Sequence, residues 1–220
     1  NINQGLRIKI MRVLFFSSGS GSTAAYITKK LWNSKLDGVE LAGFVYEPNE
    51  DIQSRFANII NNNQAPNAGF YKVIRSDFSS NEEFHSSIWK SISGLQVDLI
   101  MLLGWMHIIP KSFIADCDAV GTKIVNLHPT LQYQLIGRDV YPKIWNMYQD
   151  GMIRETGCMV HYVSSQLDRG EVICEYRLDL TKYKNIEDYH LAMYGGKSRA
   201  GVGVGDMGDV GDAGDAVVIE

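Results

Sequence analysis

The stretch Arg12-Val-Leu-Phe-Phe-Ser17-Ser-Gly19-Ser-Gly21-Ser-Thr-Ala24 decides the fold class. Arg12 to Ser17 reads as a short apolar strand, and Gly19-Ser20-Gly21-Ser22 as a tight turn. From Ser22 onward Ala24, Ile27 and Leu31 fall on one face of a helix. The same alternation recurs outward from this point. Val39 to Tyr46 is a strand, and Ile52, Phe56, Ile59 and Ile60 mark a helix. Phe70 to Ile74 is a strand, and Phe84, Ile88, Trp89 and Ile92 mark the next helix. Val97 to Leu103 is an almost unbroken apolar run, as a parallel strand buried on both faces requires. Lys123 to Leu127 is a further strand. Strands alternating with helices predict right-handed crossovers: an α/β, Rossmann-like, mostly parallel sheet with flanking helices. Ligands of such sheets lie beyond the carboxyl ends of the strands. That rule selects the turn after the first strand and the residues ending the Lys123–Leu127 strand.

Further along, Val140 to Asp150 reads as helical, Gly157 to Val163 and Glu171 to Leu178 as two strands, and the polar Ser164–Gly170 segment as their connection. A last helix is expected from about Asn185 to Tyr194. The domain is therefore expected to span residues 11–194. Residues 195–220 differ in kind, with eight glycines, recurring Gly-Asp and no apolar periodicity. Ordering so many glycines is entropically costly, so this tail is expected to be disordered. Its spacing does not keep the nonapeptide period of calcium-binding glycine-aspartate repeats.

The bulk numbers exclude several classes. Of 220 residues 45% are hydrophobic, enough for a core. No apolar run approaches the roughly 20 residues of a membrane helix, and the opening NINQGLRIKIMRV lacks the apolar stretch of a secretory signal. Cys117, Cys158 and Cys174 form neither an even disulfide set nor a close metal pair, which suits a reducing, cytoplasmic setting. The net charge of −4 offers no basic footprint for nucleic acid. Four aspartates and Glu220 against Lys197 and Arg199 give the tail −3 of that charge, leaving −1 for the rest.

Three motifs carry chemistry. The turn through Gly21, Ser22 and Thr23 joins a strand to a helix, an arrangement that presents backbone N–H groups and a helix dipole to a phosphate or carboxylate. The bland alternative is a tight strand-to-helix turn capped by serine. It lacks the Gly-Lys-Ser/Thr ending of a P-loop, yet Gly19-x-Gly21-x-x-Ala24 with Glu47 near the end of the second strand fits a loose dinucleotide fingerprint. In Asn126-Leu127-His128-Pro129, alternation turns Asn126 and His128 to one face and Pro129 ends the strand. An amide beside an imidazole there can hold an oxyanion and move a proton, or simply form a satisfied polar pair. Asp168, in Leu167-Asp168-Arg169-Gly170, is either a turn former or a carboxylate that raises the pKa of His128. His161 alternates with apolar residues and reads as structural, whereas His107 follows the buried strand and reads as lining a pocket. No spacing of histidine, cysteine or carboxylate suits zinc or iron.

Together the segments LFFSSGSGST, LLGWMHIIP, IVNLHPTL and TGCMVHYVSSQLDRGEVI resemble the glycinamide ribonucleotide formyltransferase family, in its order and with similar separations, over roughly residues 12–190. The resemblance implies a formyltransferase-type fold and transfer of a formyl group from 10-formyltetrahydrofolate to the amine of glycinamide ribonucleotide, the third step of purine synthesis. By position, Gly21, Ser22 and Thr23 would hold the ribonucleotide phosphate. Met106, His107, Ile108 and Ile109 would line the folate and substrate cleft, and the segment from Val163 through Leu167 to Asp168 would wrap the pteridine. Asn126, His128 and Asp168 would be the catalytic trio. Asn126 and a protonated His128 would stabilise the tetrahedral oxyanion, and Asp168 would support the imidazolium and a water relaying the proton to N10. The implied enzyme needs no metal, binds neither nucleic acid nor membrane, and is a monomer or homodimer in the cytoplasm.

The chain departs from that family at several points. Thr23 stands where asparagine is usual and Asn81 where arginine is usual. Thr130-Leu131-Gln132-Tyr133 lacks a second proline and the turn it fixes, and Gly137-Arg138-Asp139-Val140-Tyr141-Pro142 replaces a histidine-containing stretch. The C-terminal helix that supplies a glutamate to the substrate amine has no counterpart, and the glycine-rich tail stands in its place. The departures bear on the acceptor more than on the formyl donor. A sugar N-formyltransferase or a formyltetrahydrofolate hydrolase is the nearest alternative, although the hydrolase usually reads His-His-Ser and the sugar enzymes generally lack this glycine-serine loop. A nicotinamide-dependent oxidoreductase resting on Gly19, Gly21, Ala24 and Glu47, or a degenerate non-catalytic binding protein, belongs to a different class.

Overall fold

A computed structural model describes residues 10–34 and 38–193; the glycine-rich 195–220 segment lies outside the described residues. The elements are β1 (Met11–Ser17), α1 (Ser22–Ser34), β2 (Val39–Tyr46), α2 (Glu50–Asn61), β3 (Gly69–Lys72), α3 (Asn81–Ile92), β4 (Leu99–Leu102), α4 (Lys111–Ala119), β5 (Lys123–His128), α5 (Val140–Gln149), β6 (Glu155–Tyr162), β7 (Val172–Asp179) and α6 (Ile186–Met193). The sheet runs β3-β2-β1-β4-β5-β6-β7. The described residues form two compact units, one up to Ile124 and one from Val125 onward, with the boundary inside β5.

In the first unit β1 pairs in parallel with both β2 and β4, and β2 with β3. As the centre of this set, β1 is apolar throughout its middle: Val13, Leu14, Phe15 and Phe16 are wholly buried. Such a strand has no solvent face, which is why the run does not alternate. Ile52, Phe56 and Ile59 bury one face of α2, and Phe56 packs on Phe44, Tyr46 and Phe70. Ile60, expected on that face, is exposed; the buried stripe closes at Ile59, and the next residue has turned about 100° toward solvent. α4 is absent from the sequence reading because Phe113 and Cys117 are its only buried side chains, too few to mark a period.

The second unit is antiparallel. β5 pairs with β6 and β6 with β7, so the sheet departs here from the parallel arrangement of the first unit. The short connection from Val163 to Glu171 allows β6 and β7 to form a hairpin, where a parallel pair would need a crossover. The core of this unit joins Ile144 of α5, Leu178 of β7, Leu180 just after that strand, and Tyr189 of α6. Among the described residues no helix is long and apolar enough to cross a membrane.

Candidate active site

In the first unit the glycine-serine turn follows β1 directly. Gly21 has φ +71°, and a Cβ there would lie 2.6 Å from Ile52 Cγ1, so both conformation and space call for glycine. The N–H groups of Ser18 and Gly19 donate to Gly104 O at 3.2 and 3.1 Å, and Met106 N–H donates to Ser18 Oγ at 2.7 Å. These bonds dock the Gly104–Ile109 segment against the turn. Met106 and Ile108 are exposed there, as ligand contacts need to be, whereas Ile109 is buried. Asn81 donates its amide to Ile108 O at 2.7 Å, so the residue standing where arginine was expected ties the start of α3 to this segment.

His107 lies beside Glu47, Nε2 to Oε2 2.9 Å, and packs against Phe84 and Trp105. The other carboxylate oxygen of Glu47 accepts the Arg75 N–H at 2.9 Å. Both oxygens of Glu47 are thus engaged by protein groups. The dinucleotide reading called for that carboxylate to take a ribose hydroxyl, and here it ties Arg75 and His107 together instead.

In the second unit, the register of β5 on β6 sets Asn126 opposite His161. Asn126 Nδ2 lies 3.2 Å from Asp168 Oδ1 and 3.3 Å from His161 Nε2. His128 Nδ1 and His161 Nε2 each stand 3.7 Å from an Asp168 oxygen, within ion-pair but beyond hydrogen-bond reach. The three expected catalytic residues are therefore in one cluster, with His161 as an unforeseen fourth member. The only signal for His161 was its antiparallel partner, and pairing register is not readable from one strand. Val163 and Leu167 lie on the connecting loop, Val163 half-buried and Leu167 exposed.

Asp168 adopts φ +50°, a left-handed conformation that aspartate tolerates better than most residues. Its Oδ2 accepts the Gly137 N–H at 2.8 Å. Burial pushes its pKa up, but the neighbouring His161, the Gly137 N–H and His128 outweigh that and hold it below the usual carboxylate value. His128 Nε2 donates to Leu135 O at 3.0 Å, leaving the lone pair of the neutral ring on Nδ1, toward Asp168. Burial is the largest influence on His128 and pushes its pKa down; Asp168 and the Leu135 carbonyl push it up without overcoming burial. This corrects the expectation of a raised pKa. The carboxylate is present, but in a pocket where His128 is 3% exposed, desolvation wins.

Asn126 is held inside the same cluster. Its amide nitrogen faces Asp168 Oδ1 and His161 Nε2, and His161 Nδ1 donates to Tyr162 O at 2.9 Å. The missing proline is also accounted for. Tyr133 takes φ +68°, and the turn is fixed by Gln134, which accepts from Leu131 N–H and Thr156 Oγ and donates to Glu155 O. Leu135 and Gly137 are thereby set against His128 and Asp168.

Residues 11–189 match the family model described as formyl transferase. The chain belongs to the formyl transferase family. A Dictyostelium discoideum protein named phosphoribosylglycinamide formyltransferase is 34% identical over 93 residues, 41% of this chain and 45% of that protein. One of the same name from Haemophilus influenzae is 28% identical over 150 residues, 63% of this chain and 66% of that protein. The chain thus spans about half to two thirds of the length of the curated relatives it matches. Among solved structures, glycinamide ribonucleotide transformylase 1 from Geobacillus kaustophilus aligns with a TM-score of 0.70 at 27% identity, covering 84% of this formyl transferase chain and 91% of that one.

Proposed function

We propose that the protein transfers a formyl group from 10-formyltetrahydrofolate to the amine of glycinamide ribonucleotide, as a cytoplasmic enzyme of small-molecule metabolism, monomeric or homodimeric. The observation that carries this reading is the Asn126–His128–Asp168 cluster within a chain of the formyl transferase family. Gly21, Ser22 and Thr23 would take the phosphate, and Met106 to Ile109 with Val163 and Leu167 would contact the folate.

The lowered pKa of His128 supports a particular sequence of proton movements. The amine attacks the formyl carbon, forming a C–N bond and a tetrahedral oxyanion. The neutral imidazole, unprotonated at Nδ1, takes the amine proton as the zwitterion collapses. Asp168, 3.7 Å away and held ionised, stabilises the imidazolium so formed. Cleavage of the bond to N10 releases tetrahydrofolate, and the same proton passes to N10. One proton leaves the amine and one arrives at N10, so the reaction balances. The folate supplies the one-carbon unit; the chain supplies orientation, desolvation and this proton path.

A spectrophotometric assay of 10-formyltetrahydrofolate consumption, with and without glycinamide ribonucleotide, tests the proposal. Consumption that depends on the ribonucleotide is expected. Consumption without it would instead identify a hydrolase, and none in either case a formyltransferase with another acceptor, such as a sugar amine, or a non-catalytic folate-binding protein.

A further inference from the structure

The carbonyls of the glycine-serine turn are held from behind by one face of α2. Asn49, the N-cap of α2, donates its amide to Gly19 O at 2.8 Å, while its own Oδ1 accepts the Ile52 N–H at 2.9 Å. Six residues on, Arg55 Nε donates to Ser20 O at 3.1 Å. Between them Ile52 packs where a Cβ of Gly21 would be. Positions 49, 52 and 55 recur every three residues, so a single helical face makes all three contacts. Gly21 O is taken by the Ala25 N–H at 2.9 Å, within α1. Three successive carbonyls, of Gly19, Ser20 and Gly21, are thus each bonded to a donor.

The consequence is electrostatic. A loop whose carbonyl oxygens face a ligand repels an anion, and one whose carbonyls are drawn away presents its N–H groups. Among the described contacts the N–H groups of Ser20, Gly21, Thr23 and Ala24 have no protein acceptor. Arg55 is half-buried, only its Nε is engaged among the described residues, and its guanidinium is held at the turn by that bond. No arginine is needed to make a strand-turn-helix junction, since the capping and packing of α2 rest on Asn49 and Ile52.

We propose that Arg55 and Asn49 are positioning residues of the anion loop, holding the Ser20 and Gly19 carbonyls outward and fixing a guanidinium there, so that the loop selects a phosphate-bearing ligand over its uncharged counterpart. This rests on the reading of Gly21, Ser22 and Thr23 as the phosphate-contacting end of the site. It deepens that reading by naming what shapes the loop and sets its preference for a dianion.

The probe is inorganic phosphate, titrated into the full chain by calorimetry, which needs no knowledge of the formyl acceptor. Arg55→Met is expected to weaken phosphate binding about tenfold or more, the scale of a lost charge-assisted contact. Arg55→Lys restores part of this at low salt, because it keeps the charge but not the planar Nε donor. Asn49→Ser keeps an oxygen for the Ile52 N–H and loses only the donor to Gly19 O, and is expected to weaken binding about threefold. Melting temperatures report whether the variants fold as the wild type does. In the formyl-transfer assay, the KM for glycinamide ribonucleotide rises in Arg55→Met, while kcat and the KM for the folate change less than about twofold. Phosphate affinity in Arg55→Met equal to that of wild type overturns the inference, as does absence of phosphate binding by the wild type. Wild-type protein that binds phosphate but transfers no formyl group overturns the proposed reaction and leaves the role of α2 standing.

Discussion

The two units of the chain build their functional groups in opposite ways. In the first unit the candidate ligand-binding atoms are backbone N–H groups of a turn, and the side chains around them (Asn49, Ile52, Arg55, Ser18) act from behind. In the second unit they are side chains, Asn126, His128, Asp168 and His161, and the backbone of Leu135 and Gly137 acts from behind. Backbone amides carry no titratable proton, so the first arrangement can recognise charge but cannot shuttle it. Clustered imidazoles and a carboxylate can do both, at the expense of burying ionisable groups. Under the proposed function the difference separates recognition from chemistry within one chain, and substitutions can probe each separately.

The largest effect is expected at His128. His128→Ala should lower kcat by about 10³-fold, within the range for loss of a positioned general base, and leave the binding of phosphate in the first unit unchanged. Turnover within a few-fold of wild type would remove the imidazole from the mechanism and break the division. Asp168→Asn should reduce kcat by about 10²-fold and move a limb of the pH profile as well. In the proposed mechanism His128 acts as a base in its neutral form, so kcat/KM should fall as the pH drops through its pKa, which burial places below the ordinary histidine value. The Asp168 charge pushes that pKa up, and removing it should carry the acid limb to lower pH still. A limb that moves upward, or does not move, would show that Asp168 does not act on His128.

How much of this was legible in the sequence follows the same division. Apart from α4, the elements of the first unit could be read from spacing. A buried strand, a glycine at the turn and an apolar helical stripe are local patterns, and the local contacts they imply are those observed around Gly21. In the second unit alternation singled out Asn126 and His128, but their grouping with Asp168 as one site came through resemblance, because the partners of Asp168 lie 31 residues away at Gly137 and 42 at Asn126, beyond any periodic pattern. His161 was missed for the same reason: alternation in a strand gives a face, and only the register on β5 says what is opposite. The sign of the His128 shift was misread because a sequence shows a carboxylate but not the loss of water around it. Arg55 left no signal at all, since an arginine on an exposed amphipathic helix is unremarkable until the carbonyl it meets is known.

Another histidine sharpens the comparison by carrying a similar shift without a chemical role. His85, on α3 in the first unit, is fully buried between the rings of Phe84, Trp105 and Phe113. Its Nδ1 donates to Asn81 O at 2.9 Å, and Nε2 has no partner. Burial lowers its pKa from 6.5 to about 4. Between those values the unfolded chain binds the proton and the folded chain does not, so stability falls as pH falls through that window and is full above it. The loss from pH 7 to pH 4 is on the order of 3 kcal/mol from this group. His128, also lowered, adds to the same acid limb, so the measurement is a difference. Denaturant midpoints of His85→Leu should lose less between pH 7 and pH 4 than those of wild type, with kcat/KM keeping its profile. Equal losses in the two proteins would show that His85 is not the group whose protonation destabilises the first unit.

The smallest effect tests whether the first unit's recognition can be separated from its stability. Asn49 performs two tasks with the two ends of one amide: Oδ1 caps α2 and Nδ2 holds the Gly19 carbonyl. Asn49→Ala removes both, and loss of the cap should cost about 1 kcal/mol. Asn49→Ser returns the capping oxygen alone and should recover most of that stability by denaturant titration. If phosphate affinity recovers along with stability, the donor to Gly19 O is dispensable and α2 merely props the turn. If stability returns while affinity stays low, the orientation of a single carbonyl is what the loop needs, and recognition in this unit resides in the direction of backbone dipoles rather than in how tightly α2 is held.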